Sequence, residues 1–182
     1  AAWLGDVVGG DLGPSFQYPD YTVNQLVAQA LPVSMLNGGL ALLLALLCGI
    51  PLGVWAALRG GSWLDRGLML FAGLGLAVPK FVVAPLLVLL FAVTLRWLPA
   101  GGFPRTDWAE PGVALRSLIL PLLAIAIVAG SDLARYVRSA TLDVLGQQYM
   151  RAARASGQSF GTALWRHGVR NGIVHVISIL AI

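Results

Sequence analysis

The sequence predicts an all-α fold, a polytopic bundle of transmembrane helices, and three observations carry that expectation. Hydrophobic residues make up 58% of the chain and charged residues 11%, with a mean hydropathy of +0.80. Soluble domains carry about 25% charge. Residues 35–58 contain no Lys, Arg, Asp or Glu, and residues 67–95 contain one charge, Lys80. Each stretch exceeds the roughly 20 apolar residues that cross a hydrocarbon core about 30 Å thick. The cations, finally, are gathered in connections between apolar runs rather than spread along the chain. The sequence pI of 9.8 therefore reflects membrane topology and does not point to nucleic acid.

Residues 1–34 form an expected extracytoplasmic segment with three acids, Asp6, Asp11 and Asp20, and no Lys or Arg. Gly9-Gly10, Gly13-Pro14 and Pro19-Asp20 are turn signals. Thr22 is placed to cap a short helix through Val23, Leu26, Val27 and Ala30, and Leu31-Pro32 then marks the start of the first span, about 35–58. Cys48, the single cysteine, lies inside that span, which leaves no disulfide framework or metal site to build from it. Gly49 and Gly53 stand one helical turn apart and permit another helix to approach closely; a gating hinge is the alternative reading.

The second span is expected at about 67–95, interrupted by Gly73, Gly75, Pro79 and Pro85, and the third at about 115–139 with Pro121 inside it. Breakers at membrane depth are tolerated where neighbours satisfy the freed backbone groups. The third span is extended to 139 because the uncharged stretch from Ser117 to Ser131 is too short alone. Asp132 and Arg135, three apart, can then pair on one face, and Arg138 can snorkel to the interface. Eight of the twelve basic residues fall in two connections: Arg59 and Arg66, then Arg135, Arg138, Arg151, Arg154, Arg166 and Arg170. The positive-inside rule places both in the cytoplasm, with residues 1–34 and 96–116 outside. A last apolar run, 171–182, has half the length of a span, and the chain starts without Met or a signal-peptide pattern. It reads as an incomplete fragment.

Residues 140–170 form an expected cytoplasmic loop that is amphipathic rather than apolar. Leu142, Leu145, Tyr149 and Ala153 recur at helical spacing; Gly157 is placed to stop that helix, and Ser159 to cap a second one through Leu164 and Trp165. A solvated, positive-inside loop would account for the cations alone. The small residues Ala153, Gly157 and Gly161 add something different, a surface that a partner backbone could approach closely.

The stretch Arg151-Ala152-Ala153-Arg154-Ala155-Ser156-Gly157 resembles the EAA loop of ABC-importer permeases, whose pattern is E-A-A-x-x-x-G, with Arg151 in place of the Glu. The peptide-importer branch often has R-T-A-R-A-K-G there, and Tyr149-Met150 and Arg166-His167 also look like that branch. Residues 10–24 resemble the periplasmic segment, and residues 81–91 with 97–102 the next helix and outer loop, of oligopeptide permease B-type subunits. The resemblance covers essentially the whole chain. It implies a permease of the oligopeptide, dipeptide and nickel family, of the binding-protein-dependent ABC importer type, multi-pass in the bacterial inner membrane. It further implies that Arg151, Ala152, Ala153, Arg154, Ser156 and Gly157 form a coupling helix docking on an ATPase subunit. The implied partners are a homologous second permease, two ATP-binding subunits, an extracytoplasmic peptide-binding protein, a peptide substrate and membrane lipid. No nucleic acid and no cofactor is implied.

Lys80 stands near the middle of the second expected span, about 20 Å along the helix from Arg66. A cation at bilayer centre costs at least about 2.5 kcal/mol, so Lys80 is expected to line the translocation pathway and attract a peptide carboxylate. Unchanged transport across peptide types in Lys80→Met would contradict that role. His167 and His175 have no Cys, Asp or Glu at ligand spacing, so no metal site is expected. The subunit is expected not to be catalytic: its one Lys follows Pro79 and precedes Phe81, which is no P-loop, and ATP hydrolysis would belong to partner chains. An ATP-independent secondary transporter or channel fragment would account for the spans and Lys80, though not for the helical hairpin. An intramembrane enzyme would need a paired carboxylate or a nucleophile–base set, and none stands out.

Overall fold

The computed structural model describes residues 2–77, 80–104 and 107–163, in two units, residues 1–40 and 41–182. Among the described residues the architecture is helical, with a single isolated β-bridge between Pro14 and Thr22.

The first unit holds helix α1, Ala2–Val8, and the start of α2, Val23–Leu58. Gly10 ends α1 at φ +86°, a conformation that a Cβ disfavours, and the Asp11 N–H returns to the Asp6 carbonyl at 2.8 Å. Thr22 caps α2 as expected: its Oγ1 accepts from the Gln25 N–H at 3.3 Å, and Gln25 Oε1 accepts from the Thr22 N–H at 3.0 Å. This reciprocal pair is a capping box. Asn24 then pins the connection back onto the helix start, accepting from the Leu12 N–H at 2.9 Å and donating to the Gly10 carbonyl at 2.6 Å. The helix does not restart after Leu31-Pro32. It runs unbroken through Pro32 and across the expected boundary at 34 and 35. Its 36 residues measure about 54 Å, well beyond the hydrocarbon thickness.

In the second unit α2 packs against α5, Pro111–Gly146, with α3, Trp63–Ala77, and α4, Lys80–Leu87, also against α5. Helices α2 and α5 are both long and apolar enough to cross a membrane. Their contact is built on small residues. A Cβ at Gly49 would lie 2.9 Å from the Gly130 carbonyl oxygen, and one at Gly53 only 2.5 Å from that of Ala134. Ala45 on the same face of α2 is buried. Leu46, Ile50 and Val54 close the seam around Leu133 and Val137. Without side chains in the way the backbones approach closely, which is how helices gain packing where lipid supplies no hydrophobic drive.

The second expected span, 67–95, is not α-helical throughout. Its described residues form α3 up to Ala77 and α4 from Lys80, and α4 passes into a π-helix over Val88–Thr94. Pro85 lacks the N–H that would bond back into the α-helical ladder, and after it the bonds lengthen: the Leu95 N–H donates to the Leu90 carbonyl at 2.9 Å. Thr94 Oγ1 satisfies the Leu89 carbonyl at 2.9 Å. The third helix is longer than the expected 115–139 and runs into the loop expected over 140–170. Pro111 opens it at a position where its missing N–H costs nothing.

Candidate functional site

The C-terminal end of α5 carries a compact hairpin. Gly146 ends the helix, Gln147 turns extended at ψ 151°, and α6 follows over Gln148–Ala155. The first turn of α6 is tied to Gln147, whose carbonyl accepts from the Met150 N–H at 3.2 Å. Gly157 stops α6 at φ +87°, and the Gln158 N–H donates to the Ala153 carbonyl at 3.2 Å. That bond is the long one of a Schellman motif. Ser159 caps α7, Phe160–Ala163, with its Oγ accepting from the Thr162 N–H at 3.3 Å. The stop at Gly157 and the cap at Ser159 are both where the sequence places them.

The apolar face of the hairpin is not the expected one. A single helix from Leu142 to Ala153 would align Leu142, Leu145, Tyr149 and Ala153. The break at Gln147 resets the register, so Val144, Met150, Ala153 and Ala163 are buried together with Leu145 against them. Leu142 and Tyr149 are exposed. Ala153 therefore faces the hairpin's own core, at 8% exposure, rather than the open surface expected of it.

The other motif residues divide. Arg151, Ala152, Ser156 and Gly157 are exposed; the Ser156 Oγ donates to the Ala153 carbonyl at 2.9 Å. Lys80 lies in α4, but its side chain and that of Arg154 lie outside the described residues. The fourth span at 171–182, Leu164, Trp165, Arg166, His167, Arg170 and His175 lie outside them too.

A buried ion pair beside this hairpin was not anticipated from the sequence. Arg138 of α5 donates through Nε and Nη2 to the two carboxylate oxygens of Asp65 in the first turn of α3, the Nη2 bond measuring 2.8 Å. Asp65 is 4% exposed and also accepts from the Gly61 N–H at 2.9 Å, while its own N–H donates to Ser62 Oγ at 3.3 Å. The Arg138 guanidinium first, and the Gly61 N–H second, hold the Asp65 carboxyl below its usual range. The signal was present: Asp65 is the one acid in the cation-rich connection around Arg59 and Arg66, three residues after a capping Ser62. The pairing of Asp132 with Arg135 was anticipated, and their closest atoms are 3.8 Å apart. Arg135 also lies over the Tyr136 ring at 4.8 Å.

A cavity of about 210 Å³ lies between α2, α3 and α5, lined by Cys48, Leu52, Phe71, Ile127 and Ser131 among others. Its walls are almost wholly apolar, and the Ser131 hydroxyl is already given to the Ile127 carbonyl at 2.6 Å. Among its described lining residues there is no charged or amide side chain to orient a peptide.

Residues 49–182, most of the chain, match the family described as binding-protein-dependent transport system inner membrane component. The chain is 41% identical, over 98% of its length, to the oligopeptide transport system permease protein OppB of Salmonella typhimurium, covering 56% of that protein. It is 39% identical to the Escherichia coli protein of the same name, over 98% of this chain and 56% of the relative. To the oligopeptide transport system permease protein AppB of Bacillus subtilis it is 37% identical, over 99% of this chain and 57% of the relative. The chain spans about half the length of the curated relatives it matches. With its membrane-length helices and the helical hairpin that follows α5, the chain belongs to the family of binding-protein-dependent transport system inner membrane components.

Proposed function

We propose that this chain is the membrane-spanning part of a permease subunit in an ATP-driven oligopeptide importer, multi-pass in the bacterial inner membrane. It forms half of the translocation pathway beside a homologous second permease. Peptide arrives from an extracytoplasmic binding protein, and two partner ATPase subunits hydrolyse the ATP. The names of the relatives support the peptide cargo.

The observation that carries the coupling role is the exposed Arg151–Ala152 edge of α6, fused through a one-residue turn to a membrane-length helix. A short helix with one buried and one open face suits a groove on another protein. Ala152 lets the partner backbone come close, and Arg151 supplies charge at the rim. Gly157 and Ser156 set the end of the helix. Ala153 acts from inside by holding α6 on Val144 and Met150, so its part is to shape the docking face. This arrangement favours an ATPase-coupled importer over a secondary transporter or channel, which needs no such hairpin.

The experiment is co-purification of the ATPase subunits with the complete transporter carrying Ala152→Trp. A bulky side chain on the open face, away from the hairpin core, is expected to lower ATPase recovery by about 10-fold or more, in the range of a lost interface hot spot. Ala152→Ser is expected to leave it unchanged. Full ATPase recovery with Ala152→Trp would overturn the docking assignment.

A further inference from the structure

The buried pair between Asp65 and Arg138 does more than hold two helices together. Removing two charges from water is costly, and an apolar pair of similar volume commonly stabilises as well or better. What an ion pair adds is a fixed register. A bidentate guanidinium–carboxylate contact is made at one relative position of its two helices, and a slip of one turn, about 5.4 Å, would break it.

Its place gives that register a use. α5 is uninterrupted from Pro111 to Gly146, so Arg138 and the base of the hairpin belong to one helix, about 12 Å apart. Val144 and Leu145, in the last turns of α5, are seated against Met150, Ala153 and Ala163, so the hairpin is packed onto α5 rather than hung from it. At the other end, Asp65 is fixed within its own helix start by the Gly61 N–H and by Ser62. Among the described residues the contact of α5 with α2 is apolar, glycines against backbone with Leu46, Ile50 and Val54 around Leu133 and Val137. Its tie to α3 is directional and charge-assisted.

We propose that Asp65 and Arg138 are positioning residues for transport, the link through which displacement of the hairpin by the ATPases is carried from α5 into α3. This rests on the docking reading above. It assigns to the pair a role in coupling that differs from docking itself.

The test uses the complete transporter, with its ATPases and binding protein, in proteoliposomes. Three quantities are measured for Asp65→Asn, Arg138→Lys and the reversed pair Asp65→Arg with Arg138→Asp: ATPase subunits recovered, ATP hydrolysed and peptide taken up. Asp65→Asn and Arg138→Lys are expected to keep ATPase recovery and hydrolysis while peptide uptake per ATP falls by about 10-fold. The reversed pair is expected to regain part of that loss. Arg138→Lys keeps the charge and loses the two-pronged geometry, so it carries the test should Asp65→Asn fail to reach the membrane. Unchanged uptake per ATP in both single variants would overturn the proposal. So would a fall in uptake and hydrolysis in equal proportion to assembled complex, the mark of a stabilising role alone. Failure of the docking reading is separately visible, because Ala152→Trp would then leave ATPase recovery intact.

Discussion

Asp65 shows how one side chain can be fixed by its surroundings and remain invisible to a reading of charge counts. Its carboxylate meets Arg138, seventy-three positions away, and the Gly61 N–H beside it. Both favour the charged form, so the folded pKa lies below the unfolded value of about 3.9. A depressed carboxylate stabilises the fold above the unfolded pKa and loses that contribution as pH falls through the folded one. The difference in thermal stability between wild type and Asp65→Asn in detergent is therefore expected to be flat from pH 8 to about 5, and to shrink only below about pH 4. At neutral pH Asp65→Asn is expected to cost about 3 kcal/mol, the low end for breaking a buried pair, because the Arg138 side chain keeps 22% exposure. A difference that grew on acidification would contradict a carboxylate held ionised by Arg138. Ala153 shows the same limit in another form. Its smallness is legible in the sequence, but which way it faces depends on a turn at Gln147 that no periodicity reveals.

At the scale of elements, a close approach to α2 was readable because glycines four apart on an apolar helix clear one face for another backbone, whereas its partner α5 was not. Gly49 and Gly53 meet the Gly130 and Ala134 carbonyls. Gly53→Val is expected to force the two backbones apart and destabilise the unit by about 2 kcal/mol or more, seen as a lowered thermal midpoint in detergent. Gly38→Ala, where nothing lies within 4 Å of the added Cβ, is the control and is expected to be neutral or mildly stabilising. Equal behaviour of the two would contradict close packing at Gly53. Local capping was also legible, at Thr22, Gly157 and Ser159, because capping depends on residues within a turn of one another. Continuity was not. Pro32 was tolerated inside α2, whereas the second apolar stretch passed into a π-helix after Pro85. Both prolines are exposed and both lie within helix, and nothing in the packing around them explains why the ladder widens only after the second.

For the whole molecule, membrane-length helices and family membership follow from apolar run length and from motifs spread along the chain. The mechanical arrangement needed the structure, since a long-range ion pair and a reset helix register leave no periodic trace. Together they describe a transmembrane helix that continues directly into a packed hairpin and is tied, one side by shape and the other by charge, to α2 and α3. On the proposed function, the open face of α6 meets an ATPase. Site-specific cross-linking tests that contact: Ala152→Cys in a Cys48→Ala background of the complete transporter, labelled with a maleimide that carries a benzophenone, whose photoexcited carbonyl inserts into a C–H bond of the protein against it. Position 152 is expected to cross-link to an ATPase subunit with a yield that changes with bound nucleotide, and a cysteine at buried Ala153 is expected to give none. Absence of any cross-link at 152, while ATPases remain bound and other exposed positions react with them, would contradict it.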